Sequence, residues 1–298
     1  MFEALLGLLK TKDIRYDTDV LLADISPIRI GGPCPLVVWP SSKDELVCVV
    51  DWLENNGIGY KIVGRMTNLL VRDSGYSGAI IRTDRMCSWW TDKNSVYTEC
   101  GITLPHLAKA LAPLGITGIE QLSGIPGSIG GALVCNAGAY GCSISDVLKS
   151  VTVLDGRTGE MRTLGRADVS FAYRYSSLAE DGGVLLCAVL QLDYDDPECI
   201  RRRMADFANM RTSSQPCDMR SLGSTFKRPA DGYASKMIDE CGLKGQRIGG
   251  AEISDKHAGF IVNRGGATAD DVARLMSLVS DRVYVRFGVV LEPEIEIL

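Results

Sequence analysis

The stretch best suited to chemistry is a run of small residues from Ile125 to Gly141, which contains five glycines. Small residues let a backbone approach a ligand closely, and glycines with free φ can turn successive N–H groups toward an anion such as a pyrophosphate. The spacing does not fit the G-x-G-x-x-G dinucleotide fingerprint, and no acidic residue on a following strand completes a Rossmann unit. The run is either a cofactor cradle or a glycine-rich turn between strands.

A second polar loop, started by Gly64 and running to Leu70, follows the strand-like segment Tyr60–Gly64. Backbone N–H groups of such a loop at a strand end can contact phosphate. A plain strand-to-strand turn is the alternative interpretation. Either loop alone is weak evidence, and two loops of this kind in one chain are stronger evidence for a cofactor site.

The intervening sequence predicts a mixed α+β protein. Ser42 and Glu45 fit a capping box ahead of apolar residues at helical spacing, and a further helix is predicted from about Thr103 to Leu114. Apolar runs between 151 and 192 are typical of paired strands. A helix is predicted from Pro197 to Met210, and a polar, turn-rich segment follows it.

The C-terminal segment Val289–Leu298 predicts a strand by alternation. Leu291, Ile295 and Ile297 would share one face, and the opposite face would carry Glu292, Glu294 and Glu296. Pro293 suits an edge strand. The acidic face is either a solvated edge or a source of one carboxylate for a cleft.

Composition excludes several classes of function. The 298 residues are 46% hydrophobic and carry a net charge of −5, so no broad basic field favours nucleic acid. No apolar run approaches the roughly 18 residues of a membrane span, and Met1–Lys10 lacks the features of a signal peptide, so we expect no membrane insertion and a cytoplasmic location. The ten cysteines form no C-x-x-C and the chain has two histidines, so we expect no metal site.

A series of motifs occurs in order along almost the whole chain: Arg29–Pro33, Gly64–Asp73, Gly124–Gly131, Asn136–Gly141, Tyr173–Ser176, Gly223–Phe226, Lys256–Phe260 and Leu291–Glu294. In this order they resemble the MurB family of UDP-N-acetylenolpyruvoylglucosamine reductases. No long extra loop separates the early motifs from the last domain, which resembles the shorter, type II form of the family.

The resemblance implies a fold and a cofactor. The fold would be a two-subdomain FAD-binding fold of the vanillyl-alcohol-oxidase or PCMH type, with subdomains at 1–75 and 76–196, followed by an α+β substrate-binding domain at 197–298. FAD would be bound noncovalently, and NADPH would use the same cleft as the substrate in turn. The positions that match the family's FAD contacts are Gly64, Arg65, Met66, Thr67, Asn68, Leu69, Ile125, Pro126, Gly127, Ser128, Gly130, Gly131, Ala132, Asn136, Ala137 and Gly138.

The implied activity is the NADPH-dependent reduction of UDP-N-acetylglucosamine enolpyruvate to UDP-N-acetylmuramate in peptidoglycan precursor synthesis. Hydride would reach C3 of the enolpyruvyl group and a proton would reach C2. Arg174 matches the family's guanidinium at the substrate carboxylate, Ser224 matches the proton donor, and Glu294 matches the acid on the opposite side. Glu292 is the alternative to Glu294.

The resemblance also implies four substrate-binding positions. Tyr173, Arg228, Lys244 and His257 are the predicted positions, and each could instead be a surface side chain or, for His257, a packed ring. Lys227-Arg228 stands where some family members have Lys-Asn.

Two other functions are compatible with the sequence. One is an oxygen-using FAD oxidase of the same cofactor fold, although neither His106 nor His257 lies in a flavin loop where it could tether the cofactor. The other is a non-catalytic flavin or nucleotide-sugar binding protein, which would bind FAD without turning over NADPH.

Overall fold

The computed structural model describes residues 2–155, 158–180 and 182–298. The α-helices, numbered along the chain, are α1 Glu3–Thr11, α2 Leu22–Ile25, α3 Lys43–Asn55, α4 Leu104–Leu111, α5 Ile129–Val134, α6 Ile144–Val147, α7 Pro197–Ser214, α8 Ala234–Glu240 and α9 Ala269–Phe287. Short 3-10 turns cover Ala112–Leu114, Glu120–Leu122, Arg166–Asp168 and Ser177–Ala179.

The strands of the first half are β1 Arg15–Leu21, β2 Pro33–Trp39, β3 Tyr60–Val63, β4 Leu69–Leu70, β5 Ala79–Arg82, β6 Trp89–Asp92, β7 Ser95–Glu99, β8 Ile116–Thr117, β9 Gly138–Ala139, β10 Cys142–Ser143 and β11 Leu148–Asp155. Those of the second half are β12 Met161–Gly165, β13 Phe171–Ala172, β14 Tyr175–Ser176, β15 Gly183–Gln191, β16 Asp193–Tyr194, β17 Arg220–Ser224, β18 Arg247–Ile248, β19 Ala251–Ile253, β20 Phe260–Asn263 and β21 Glu296–Ile297.

The described residues pack into two compact units. Unit 1 comprises described residues of Met1–Thr18, Leu36–Arg65 and Gly78–Asn209, and unit 2 comprises Asp19–Pro35, Met66–Ser77 and Met210–Leu298. The chain therefore passes from one unit to the other several times. The boundaries 1–75, 76–196 and 197–298 stay a prediction.

Unit 1 is organised by two sheets. One has the strand order β1-β2-β5-β3, in which β2, β5 and β3 run parallel. The other is antiparallel, with the order β12-β11-β15-β7-β6. Strand β5 is buried along its whole length, as expected of a strand inside a parallel sheet covered on both faces. Apolar residues of α3, α4 and both sheets form one continuous core.

Unit 2 has its own sheet and core. Strands β17, β20, β19 and β18 pair antiparallel in that order, and the apolar face of α9 packs in the same core. The early segments are part of it, since Ile28, Ile30 and Leu70 belong to this core. Asp73 accepts hydrogen bonds from the N–H groups at the start of α9, at 2.9 and 3.1 Å, and so caps that helix.

Most predicted helices are confirmed, with different ends. Helix α4 begins after Thr103, whose hydroxyl accepts the His106 N–H, and its 3-10 extension stops at the left-handed Gly115. Helix α7 continues beyond the predicted end at Met210 to Ser214. Only half of the capping box at α3 forms: Ser42 accepts the Glu45 N–H. The Glu45 carboxylate instead binds the neighbouring serine, Ser41.

The prediction of one continuous C-terminal strand is wrong. Strand β21 covers only Glu296–Ile297 and pairs in parallel with β4, whereas Pro293 forms an isolated bridge to Phe226. The N–H of Glu294 still donates to Thr225 after the proline, and the change of partner comes at Glu296, whose N–H donates to Asn68. As a result the alternation fails at Ile297, which is 39% exposed although Leu291 and Ile295 are buried.

Membrane-spanning helices, metal-binding clusters and disulfides are absent among the described residues. No helix in the described ranges is both long and apolar enough to cross a membrane. Among the same residues, no cluster of three or more His, Cys, Asp or Glu side chains is arranged to hold a metal ion. No disulfide joins the cysteines, all ten of which lie in the described part of the chain.

Unit 2 contains a buried carboxylate, Glu252 on β19, which is 1% exposed. It accepts hydrogen bonds from Arg247 and, at 2.7 Å, from Nε of Arg264. Burial raises the pKa of Glu252, but the hydrogen bonds from Arg264 and Arg247 outweigh burial and hold the pKa below its ordinary value of 4.5. The folded state therefore favours the ionised form.

We expect Glu252→Gln to destabilise the protein by about 2 kcal/mol at pH 7, less than the roughly 3–5 kcal/mol of a fully buried pair because both guanidinium groups keep partial contact with water. Since the folded pKa is depressed, the contribution is present above about pH 4.5 and is lost as the pH falls through the folded value. Urea unfolding of the wild type and the variant at pH 7 and pH 3 measures the loss of unfolding free energy at each pH. Glu240→Gln, at an exposed pair with Lys236, is the control. An equal loss at both pH values would contradict the expectation.

Candidate active site

The glycine-rich run forms helix α5 and the turns that flank it, all within unit 1. Ser128 is the N-cap of α5, and its hydroxyl accepts the Gly131 N–H at 3.3 Å. Gly130 lies against Cys100, where an added Cβ would stand 3.0 Å from the Cys100 Cβ. The residues here are small partly because the start of α5 packs directly against Cys100, the residue after β7.

The expectation that free φ at these glycines turns N–H groups inward is wrong at Gly127, Gly130, Gly131 and Gly138. None of them has positive φ; the left-handed residues of the run are Asn136, Tyr140 and Gly141. The N–H groups of Ile129 and Gly130 donate to the carbonyls of Ile102 and Cys100, so they serve the fold. The glycines at 130 and 138 supply space and not a left-handed backbone.

The two predicted flavin loops meet at Gly64 and Ser128. An added Cβ on Gly64 would collide with the Ser128 hydroxyl, and would stand 3.3 Å from the Ser128 Cβ. The loop after β3 and the cap of α5 are therefore in direct contact within unit 1. The structure brings together two loops that lie more than sixty positions apart in the sequence.

The rest of the first loop takes a definite form. Arg65 is exposed, and its guanidinium lies 3.9 Å from the carboxylate of Asp84, which also binds Arg82 at 2.7 Å. Met66 has φ of 56° and is buried. Sequence reasoning missed the Arg82–Asp84 pair. Its signal was an arginine and an aspartate two positions apart, directly after the apolar residues 79–81.

Asn136 connects the glycine-rich run to the hairpin that carries Arg174. Its Nδ2 donates to the carbonyl of Ala172 at 2.9 Å. Arg174 follows in the turn between β13 and β14 with φ of 54°, and its guanidinium carbon lies 5.1 Å from the centre of the Tyr173 ring. Unit 1 thus gathers both flavin loop starts, Tyr173 and Arg174.

Ser224 and Glu294 come together within unit 2. Ser224 ends β17 opposite Phe260 of β20, and the next residue, Thr225, accepts the N–H of Glu294 at 2.8 Å. Asn68 of the first loop donates through Nδ2 to the Glu294 carbonyl at 2.9 Å. The predicted proton donor and acid are therefore on adjacent backbone segments.

The alternative acid, Glu292, has a different environment. Its side chain is 72% exposed and pairs with Lys227 at 3.3 Å, and its carbonyl accepts the Lys227 N–H. Glu292 is thus a solvated partner of a lysine, whereas the side chain of Glu294 is half-buried.

Three of the predicted substrate contacts also cluster in unit 2. Lys244 and His257 line an open cavity of about 380 Å³ together with Tyr233, and the guanidinium of Arg228 lies 4.5 Å from the centre of the Tyr233 ring. Burial and the nearby charge of Lys244 lower the pKa of His257, which favours the neutral ring. Tyr173, the fourth predicted contact, belongs to unit 1.

Comparison with known family models identifies the class of protein to which the chain belongs. A model described as FAD binding domain matches residues 34–165. A second model, UDP-N-acetylenolpyruvoylglucosamine reductase, C-terminal domain (MurB_C), matches residues 215–298. Together with the mixed α+β fold, they define a flavoenzyme with an FAD-binding domain and a C-terminal domain. The predicted fold class is confirmed.

Relatives along the full chain define the family. Proteins named UDP-N-acetylenolpyruvoylglucosamine reductase from Caldicellulosiruptor bescii and Clostridioides difficile are 43% and 38% identical, over 97% and 99% of this chain and 93% and 96% of their own length. The crystal structure of MurB from Thermus caldophilus is 34% identical, covers 95% of this chain and 99% of its own, and has a TM-score of 0.81. The chain belongs to the MurB family, and the prediction of an oxidoreductase is confirmed.

The residues of the cradle fit an FAD group. Asn136 is 7% exposed, and its Oδ1 has no hydrogen-bond partner among the described residues. A buried amide oxygen without a donor is costly in a folded protein, and a donor group on a bound ligand would satisfy it. Gly131 is exposed at the start of α5, so its backbone is accessible to a ligand.

We expect Gly64→Ala to cost about 1 kcal/mol of unfolding free energy and to reduce FAD retention, because Ser128 must rotate away and give up a helix cap worth roughly that amount. In a Ser128→Ala background the cap is already lost, so the same change should cost much less. Thermal or urea unfolding of the four proteins measures this coupling. Gly131→Ala is the stability control, since its Cβ would stand 3.5 Å from Ser128 Oγ. Equal costs in both backgrounds would contradict the contact.

Proposed function

We propose that this protein reduces UDP-N-acetylglucosamine enolpyruvate to UDP-N-acetylmuramate for peptidoglycan precursor synthesis, with NADPH as electron donor. Full-length similarity to reductases of the MurB family carries the proposal. FAD would be held by the loops Gly64–Leu69 and Ile125–Ala132, with Asn136–Gly138 near it, and when bound it would supply the hydride that reaches C3 of the enolpyruvyl group. The remaining chemistry belongs to side chains of this chain.

Arg174 is the proposed partner of the substrate carboxylate. Hydride addition at C3 spreads negative charge over C2 and the adjacent carboxylate, and a donor aimed at that charge stabilises the transition state. A guanidinium suits this task because it is planar, stays charged and can bind both carboxylate oxygens. Its place in a hairpin turn, stacked on Tyr173, supports this role by limiting where the long side chain can point.

Ser224 is the proposed proton donor at C2. As the O–H bond of Ser224 breaks, a C–H bond forms at C2, and the serine oxygen regains its proton from solvent. A hydroxyl is a weak acid, so this step needs close placement and a strongly basic acceptor, which an enolate carbon provides. Ser224 lies at the end of β17, beside the bulge at Gly223. This position supports the proposed role, in which the side chain of Ser224 extends toward the substrate.

Glu294 is the proposed acid on the other side of the reacting group, in preference to Glu292. Its backbone is fixed from two directions, by Thr225 and by the Asn68 amide. A carboxyl group held this way can donate a hydrogen bond to the developing charge if it is protonated. Glu292 lacks this placement, because its carboxylate pairs with Lys227 in solvent.

Anaerobic absorbance of the flavin band tests the proposed function. NADPH should bleach the band, and UDP-N-acetylglucosamine enolpyruvate should restore it. Bleaching without recovery would indicate another flavin reductase, and bound FAD that NADPH does not bleach would favour a binding protein. Denaturation should release FAD, since a tethered flavin would favour the oxidase.

We expect Ser224→Ala and Glu294→Gln to leave flavin reduction by NADPH nearly unchanged and to slow reoxidation by the enolpyruvyl substrate about 10²-fold or more, the usual contribution of acid–base groups. Stopped-flow absorbance separates the two half-reactions. Glu292→Gln is the matched control and should change neither rate, because its side chain pairs with Lys227 in solvent. Equal loss of both half-reactions in Ser224→Ala would contradict its role.

A further inference from the structure

Helix α5 ends at Val134 with backbone carbonyls that the helix itself cannot satisfy. After it, the N–H groups of Cys135 and Ala137 bond back to the carbonyls of Gly131 and Ala132. The carbonyl of Val134 instead accepts the hydroxyl of Ser176 at 2.8 Å. A side chain from the Arg174 hairpin thus completes the end of the helix.

The hairpin β13–β14 needs such an anchor. It pairs Phe171 with Ser176 and Ala172 with Tyr175, so its strands are among the shortest in the fold. A hairpin this short is unstable by itself in water. Its turn also holds Arg174 at a φ of 54°, a left-handed conformation that costs free energy for a residue other than glycine. Contacts outside the hairpin must therefore fix it.

Each strand of the hairpin is tied to a different neighbour. The first strand is held by the Asn136 amide at Ala172 and by the Arg166 guanidinium, which lies 4.7 Å from the centre of the Phe171 ring. The second strand is held by Ser176, which is 0% exposed. Ser176 stands two residues after Arg174, so its hydrogen bond fixes the strand that leaves the turn.

We propose that Ser176 is a positioning residue for the reduction: its hydroxyl bond to Val134 fixes the turn that aims the Arg174 guanidinium at the substrate carboxylate. The proposal rests on the proposed function, because it presumes the role of Arg174. Ser176 does not contact the reacting atoms. Its removal misplaces the guanidinium, and a misplacement of about 1 Å can cost up to roughly 10²-fold in rate.

Matched variants test the role of the hydroxyl. Ser176→Ala should lower kcat/KM for the enolpyruvyl substrate about tenfold or more, and weaken substrate binding to the oxidised protein in calorimetry. The rate of flavin reduction by NADPH should stay near the wild-type value. Ser176→Thr keeps the hydroxyl and should restore most of the loss. Ser177→Ala removes a neighbouring hydroxyl, which accepts the Ser170 N–H at 3.2 Å, and should have little effect.

Measuring Ser176→Ala in an Arg174→Lys background distinguishes failure of the proposed Arg174 role from failure of the proposed Ser176 role. If Ser176 acts through Arg174, the Ser176→Ala effect should largely disappear in that background, since coupled residues are non-additive. If Arg174→Lys alone leaves reoxidation unchanged, the proposed role of Arg174 fails. If Arg174→Lys slows reoxidation but Ser176→Ala has no effect, or the same effect in both backgrounds, the positioning role is overturned. Unfolding midpoints and flavin content confirm that each variant is folded.

Discussion

The candidate site in unit 1 depends on the hydrogen bonds at the two ends of a six-residue helix. Ser128 closes the N-terminal end of α5 and touches Gly64 of the first flavin loop. Ser176 closes the C-terminal end and belongs to the hairpin of Arg174. A helix this short gains little stability by itself, so its capping groups carry much of its order. The same two serines therefore fix the helix and connect it to both neighbouring loops.

In unit 2, hydrogen bonds to the backbone hold a candidate site residue, Glu294, in place. Before Pro293, the carbonyl of Glu292 accepts the Lys227 N–H. After it, the N–H of Glu294 donates to the carbonyl of Thr225, whereas the carbonyl of Glu294 accepts the Asn68 amide. The main chain of Glu294 is held by two segments at once, so its side chain starts from a fixed backbone.

The sequence predicted much of the fold, and its failures have physical causes. Apolar periodicity located α4 because that helix buries its apolar face in a core. Helix α7 was located by the proline at its start, and of its residues only Ile200 is buried. Alternation held at Ile295 and failed at Ile297, in the two-residue strand β21 that pairs with β4. Residue type indicated that 125–141 is special, but not that Gly130 is small because Cys100 lies against it. Contacts such as that of Gly64 with Ser128 could not be predicted, since they join residues far apart in the chain and follow from folding alone.

The repeated passage of the chain between the two units limits how this fold can be divided. A C-terminal piece beginning near Met210 would keep the sheet of β17 to β20 but lose Ile28, Ile30 and Leu70 from its core. It would also lose Asp73 from the first turn of α9. Such a piece is incomplete as a folding unit, although it forms one uninterrupted stretch of sequence. Recombination that exchanged it between homologues would have to carry two short upstream segments with it, or match them.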